Sequence, residues 1–184
     1  MSDYRRVKES NTPYFFTLVT YDRAPLFAIE TNIVKLKESF KKVNVKHPFT
    51  VEAIVILPDH IHTIWSLPED DTDYPTRWRL IKQMFSRLMI VEYPKLFDAF
   101  PGTSRANEQE KLIWQRRYWE HTIRDSEDFK RHLDYIHFNP VKHGYVDKPS
   151  KWRWSSFNKW LESGEYSQDW GTSRVFDIPG AEWD

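Results

Sequence analysis

The dipeptide Pro58-Asp59 separates two apolar runs rich in β-branched residues, Phe49 to Leu57 and His60 to Leu67. So short a connection allows only a tight reversal, so the two runs are expected to pair as an antiparallel hairpin. The hydrophobic period alternates on either side of it. Tyr14 to Tyr21, YFFTLVTY, reads as a strand from its aromatic and β-branched content. From Thr31 to about Val45, residues Ile33, Leu36, Phe40 and Val43 recur at helical spacing, and His47-Pro48 ends the helix. An acidic loop, PEDDTDYP, leads to Thr76 as the expected N-cap of a helix through Trp78, Ile81, Phe85 and Leu88 to about Tyr93. Leu112 to Ile123 fits a fourth strand, and Ser126 opens a helix with Phe129, Leu133 and Ile136 on one face. The order βαββαβ followed by a further helix predicts an α+β fold. It suits one antiparallel sheet with helices on one face, in a ferredoxin-like or RRM-like arrangement. Lys95 to Lys111 shows no period and reads as a long surface loop, a short terminal helix is expected after Pro149, and the last dozen residues read as extended.

Composition narrows the chemistry. The 184 residues suit one domain, and 40% hydrophobic content with 16% aromatics argues against disorder. Cysteine is absent, so any metal must be held by His, Asn, Gln, Asp or Glu, which favours hard or borderline divalent ions. MSDYRRVKES lacks an apolar signal region, and no run of about 18 apolar residues is present to span a bilayer, so the cytoplasm is the expected compartment. Net charge is zero, yet residues 111–160 hold 11 Lys/Arg against 6 Asp/Glu and residues 161–184 hold 1 against 6. A basic body with an acidic tail fits a polyanion-binding face and a C-terminal segment able to compete for it.

His60 and His62 lie two apart on a strand, so both rings project to the same face. Alone, the pair is a weak signal for a metal site, because two such histidines are more often hydrogen-bonded core residues. Tyr135 and Asn139 are i and i+4 on the last long helix and share a flank of its apolar stripe. That pair also has two readings: a phenol and an amide placed beside the imidazoles, or a packed Tyr and an Asn that ends its helix before Pro140. Proline disfavours the α conformation at the preceding residue, so distortion is expected at Asn139.

Five motifs in order extend the signal: YRR at Tyr4 to Arg6, LPDHIHTIWSLPE, the pair Arg77-Trp78, IWQRRYWEHTIRD, and DYIHFNPVKHGYV. Over Tyr4 to about Gly171 the sequence resembles the HUH-type single-tyrosine transposases, and most closely the REP-associated tyrosine transposases. The resemblance implies a transposase domain over residues 1–160, with the last long helix catalytic; the charge imbalance, separately, points to residues 161–184 as an acidic tail with a regulatory role. It implies His60 and His62 as metal ligands and Tyr135 as nucleophile. Asn139 stands where related transposases carry a Gln that completes the metal site, one methylene longer. The implied cofactor is a divalent ion, Mg2+ or Mn2+, and the implied product is a 5′-phosphotyrosine link with a free 3′-hydroxyl.

The implied partner is single-stranded DNA folded into a REP hairpin, handled by a monomer, with a dimer as the alternative. Arg5, Arg6, Arg116, Arg117, Arg124, Lys142 and Lys151 are the candidate phosphate contacts. Trp114, Tyr118, Trp119, Trp152 and Trp154 interleave with them as candidates for base stacking or for the core. His132, one turn before Tyr135, is expected at the surface near DNA phosphates, with a role as proton acceptor for Tyr135 as the alternative. A non-catalytic single-strand binding module is the competing reading.

Overall fold

In a computed structural model, residues 11–94 and 113–172 are described. Four strands form one antiparallel sheet in the order β2-β3-β1-β4, with β1 at Tyr14–Val19, β2 at Thr50–Ile56, β3 at His60–Ser66 and β4 at Trp119–Thr122. The hairpin forms as expected, closed by the Leu57 amide donating to the His60 carbonyl at 2.9 Å. The helices are α1, Glu30–Lys46; α2, Tyr74–Glu92; α3, Ser126–Lys142; and the short α4, Phe157–Glu162.

Strand alternation divides the interior in two. Tyr14, Phe16 and Leu18 of β1 join Ile61 and Trp65 of β3 beneath α1 and α2, where Trp65 stacks on Trp78 at 4.0 Å between ring centroids. Phe15 of β1 and Ile64 of β3 face the other way and pack with Leu133, Tyr135 and Ile136 of α3, together with Phe157 and Tyr166. The α1/α2 layer is the ferredoxin-like part; α3 covers the opposite face. Burial on both faces explains why β1 reads as a nearly continuous apolar run.

Several boundaries differ from the sequence-based expectation. The N-cap of α2 is Asp73, whose carboxylate accepts from the Thr76 amide, with Pro75 in the first turn. The fourth strand is only four residues long, although Trp114 forms an isolated bridge with Thr20. No break occurs at Asn139: α3 runs through Pro140 to Lys142, and the His143 amide donates to the Asn139 carbonyl. Pro140, two residues from the helix end, has no amide to donate to the Ile136 carbonyl, so the last turn forms with that one bond missing.

Arg77, from one of the motifs, is 2% exposed and grips Asp71 with two nitrogens at 2.6 and 3.1 Å while donating to the Pro48 carbonyl. It ties α2 to the loop between α1 and β2. Residues 152–160 close the outer edge of β2. The amides of Ile54 and Ile56 donate to Ser156 Oγ and the Trp154 carbonyl, and the indoles of Trp152 and Trp160 donate to the carbonyls of Ile56 and Glu52. An edge so covered is no longer open to another chain. In the segment expected as a tail, Tyr166 is buried, donates from its hydroxyl to Asp134 Oδ1 at 2.8 Å and contacts His137 Nδ1 at 3.1 Å. Residues 173–184 and the loop at 95–111 lie outside the described residues.

Candidate active site

The two-residue period of β3 turns His60 and His62 toward α3, as the spacing predicts, and their ring centroids are 4.9 Å apart. Both are buried, and each is oriented through Nδ1. His60 Nδ1 lies 2.6 Å from Asp59 Oδ1. A carboxylate only accepts, so this nitrogen donates and the ring keeps its lone pair on Nε2. Burial alone would raise the Asp59 carboxyl, but the hydrogen bond from His60, aided by the Arg23 guanidinium, outweighs it and holds the group below the usual carboxylate range. His62 Nδ1 lies 2.8 Å from the Thr17 hydroxyl on the neighbouring strand. With Nδ1 donating there too, both rings present Nε2, the arrangement that metal-binding imidazoles require.

Helix α3 brings the remaining residues over the pair. The Tyr135 ring stands 5.0 Å from that of His62, edge to face, and is 2% exposed. Lys142 Nζ lies 5.1 Å from the centre of the Tyr135 ring, and the His143 ring is 5.3 Å from that of His60. Asn139, one turn after Tyr135, is fully buried, and both polar atoms of its carboxamide are without a hydrogen-bond partner. Burying an amide in this way costs free energy unless something else satisfies it. Two imidazole nitrogens and an amide oxygen fit a divalent ion held with open positions. Sequence reading thus names the four central residues and misses Thr17 and Asp59, which orient the rings. Thr17 carried a signal, as a hydroxyl in an otherwise aromatic and aliphatic strand.

A second polar group sits beside this one. Ligand atoms of His121, Asp128 and His132 lie within 4.8 Å of one another, so a His/Asp group that could hold a metal is present. Asp128 Oδ2 already accepts from His121 Nε2 at 2.8 Å and from the amide and Nε of Arg124, both at 3.1 Å. An ion bound here would displace those donors. His132 is not the surface residue expected: it is 1% exposed, stacks on His121 at 4.7 Å, and contacts the Asp128 carbonyl through Nδ1. Its burial follows from β4 passing over the first turns of α3, which helical spacing alone does not reveal.

The expected cationic residues scatter around the site. Arg116 and Arg117 are exposed just before β4. The Arg124 side chain is 67% exposed but anchored on Asp128. Lys142 is exposed beside Tyr135, and Lys151 is paired with Asp147 at 2.6 Å. Arg5 and Arg6 lie outside the described residues. Among the stacking candidates, Trp114 is a core residue, Tyr118, Trp152 and Trp154 are half-buried, and Trp119 is exposed.

Comparison with known proteins agrees with this geometry. The model of the family described as "Transposase IS200 like" matches residues 8–139. The chain is 41% identical over 180 residues to a Haemophilus influenzae protein assigned to the REP-associated tyrosine transposases, covering 98% of this chain and 99% of that one. It is 38% identical over 170 residues to the REP-associated tyrosine transposase of Escherichia coli K12, covering 92% and 91% respectively. The fold superposes with a TM-score of 0.76 on a solved REP-associated tyrosine transposase bound to a REP hairpin, at 36% identity and covering 97% of this chain and 96% of that one. The chain belongs to the IS200-like transposase family, among its REP-associated tyrosine transposases.

Proposed function

We propose that this transposase is a metal-dependent single-stranded DNA endonuclease and strand transferase that acts on REP-type hairpins through a 5′-phosphotyrosine intermediate. The observation that carries the reading is the convergence of Tyr135, His62, His60 and the buried, unsatisfied Asn139 carboxamide on one face of the sheet. His60, His62 and Asn139 would hold a divalent ion, Mg2+ or Mn2+. When bound, it would supply Lewis-acid neutralisation of charge on the scissile phosphate.

The chain's own residues do the rest. Thr17 and Asp59 fix the imidazole orientations. Tyr135 attacks phosphorus through its phenol oxygen, forming the tyrosine–phosphate bond as the 3′-oxygen leaves and takes up a proton. The retained ester then lets a 3′-hydroxyl rejoin the strand. The phenol must give up its proton to attack at neutral pH, and the Lys142 ammonium over the Tyr135 ring places a positive charge beside the nucleophile, where a phosphate would lie. The REP hairpin in the homologous structure supports the choice of DNA. The burial of Tyr135 also fits a non-catalytic single-strand binding module, which needs no exposed nucleophile.

The deciding experiment incubates the full chain and Tyr135→Phe with Mn2+ and end-labelled hairpin DNA from repeats beside its own gene, then denatures the mixture. A covalent adduct that needs both Tyr135 and the metal supports the enzyme. Tight binding with neither adduct nor cleavage selects the binding module. Steady cleavage without an adduct overturns the tyrosine mechanism in favour of water as nucleophile.

A further inference from the structure

Trp119 differs from the other described tryptophans: it is 39% exposed while they are buried or half-buried. Its place in the sheet is specific. Thr17 pairs with Trp119 of β4 on one side and with His62 of β3 on the other, so Trp119, Thr17 and His62 form one row across the sheet. Directly paired residues point to the same face, so the indole emerges on the face that carries Tyr135. Two strand spacings, about 10 Å, separate its backbone from that of His62.

The indole is also braced. It stacks on His121 with an interplanar angle of 8° and centroids 5.8 Å apart, and His121 stacks on His132 at 15° and 4.7 Å. The His121 ring is held by Asp128 at 2.8 Å. Phe15 meets the edge of the indole at 5.6 Å and contacts the Tyr135 ring at 6.1 Å. The indole is therefore positioned, through Phe15, relative to the nucleophile. Exposed Arg116 and Arg117 lie just before it in the chain, and Arg124 lies just beyond the strand.

We infer that Trp119 is a stacking platform for an unpaired nucleobase adjoining the scissile phosphate, with the neighbouring arginines holding the backbone on either side of that base. This rests on the reading of the site as a single-stranded DNA transferase and adds a contact that would set where the strand lies across it. Every base has a π-face, so a lone indole gives position with little sequence preference. A ring already fixed by its neighbours loses little conformational freedom when a base settles on it.

The test measures binding of the full chain to hairpin DNA with single-stranded flanks, in which one abasic site is moved through the unpaired nucleotides on both sides of the cleavage position. Wild-type protein should lose affinity at one position by roughly 5- to 150-fold, the range for one base on one aromatic ring. Trp119→Leu, which keeps an apolar contact with Phe15 but offers no ring, should show a similar loss on intact DNA and little further loss at that abasic position. Trp119→Phe should recover most of the affinity. Equal abasic profiles for wild type and Trp119→Leu, or equal affinities for the Leu and Phe variants, would overturn the inference. If the Tyr135 adduct still forms in that case, only the stacking contact is lost; if no adduct forms with any protein, the underlying reading fails instead.

Discussion

The Thr17 hydroxyl on β1 lies 2.8 Å from Nδ1 of His62 on β3, across a directly paired register. This contact sets the ring rather than touching an ion. Thr17→Val keeps the shape and removes the oxygen, so metal affinity should fall by about 10- to 100-fold, the usual effect of losing such a partner. Calorimetric titration with Mn2+ measures it. Circular dichroism should be unchanged, and affinity equal to that of wild type would show that the hydroxyl does not orient His62.

Asn139 permits a test that separates binding from folding. Its carboxamide is fully buried and both polar atoms are without a hydrogen-bond partner. A residue kept for stability would not carry that cost, about 1–3 kcal/mol. Asn139→Leu, similar in size and apolar, should raise the melting temperature of the metal-free protein while shrinking the increase produced by Mn2+. If the variant is destabilised without metal and its metal response is intact, Asn139 is a packing residue.

The parts of the fold that were legible in the sequence are those fixed by local period. The Pro58-Asp59 turn and the strands beside it follow from short-range geometry, and so does the inward pairing of His60 with His62. What was not legible depends on contacts between distant segments. Asp73 displaced Thr76 as the α2 cap because two suitable residues stood three apart and Pro75 fixed the start between them. Trp114 and Trp119 are five residues apart in one motif, yet one lies in the core and the other at the surface. The chain between Trp114 and β4 does not continue the strand, so alternation could not be carried across it. His132 was misplaced because its burial needs β4 overhead.

The acidic segment beyond residue 160 cannot be removed without touching the core. Tyr166 stacks on Phe157 at 5.0 Å, meets Trp170 at 4.4 Å, and lies under Lys130 Nζ at 4.3 Å. A chain ending at Glu162 loses these contacts and should be less stable by about 3 kcal/mol or more, as for deletion of a large buried aromatic. A chain ending at Thr172 keeps them. Urea denaturation of the two truncations, beside their cleavage rates, separates stability from any restraint by the acidic residues. Equal stability of all three chains would contradict the packing role of Tyr166.

The buried His132 gives the protein a defined acid sensitivity. Burial, the largest influence, pushes its imidazole down to about 4, against the opposing effects of the Asp128 carbonyl and carboxylate and with further lowering by the charges of His121 and Arg131. The folded ring stays neutral while the unfolded one takes a proton near 6.5, so stability falls as pH drops from about 6.5 to about 4. One such proton changes stability by about 1.4 kcal/mol per pH unit. His137, pushed down to about 3 by burial, acts in the same direction, so the wild-type slope should approach two protons over the middle of that window. Asp128, whose carboxyl is held below the usual range, contributes stability that is lost only at more acid pH, below about 4. Urea denaturation with a chelator present, at steps between pH 7 and 4.5, should show the His132→Gln slope reduced by about one proton. An unchanged slope would mean that His132 already binds its proton in the folded state, and the Asp128 network would then have to be drawn with a charged imidazole at its centre.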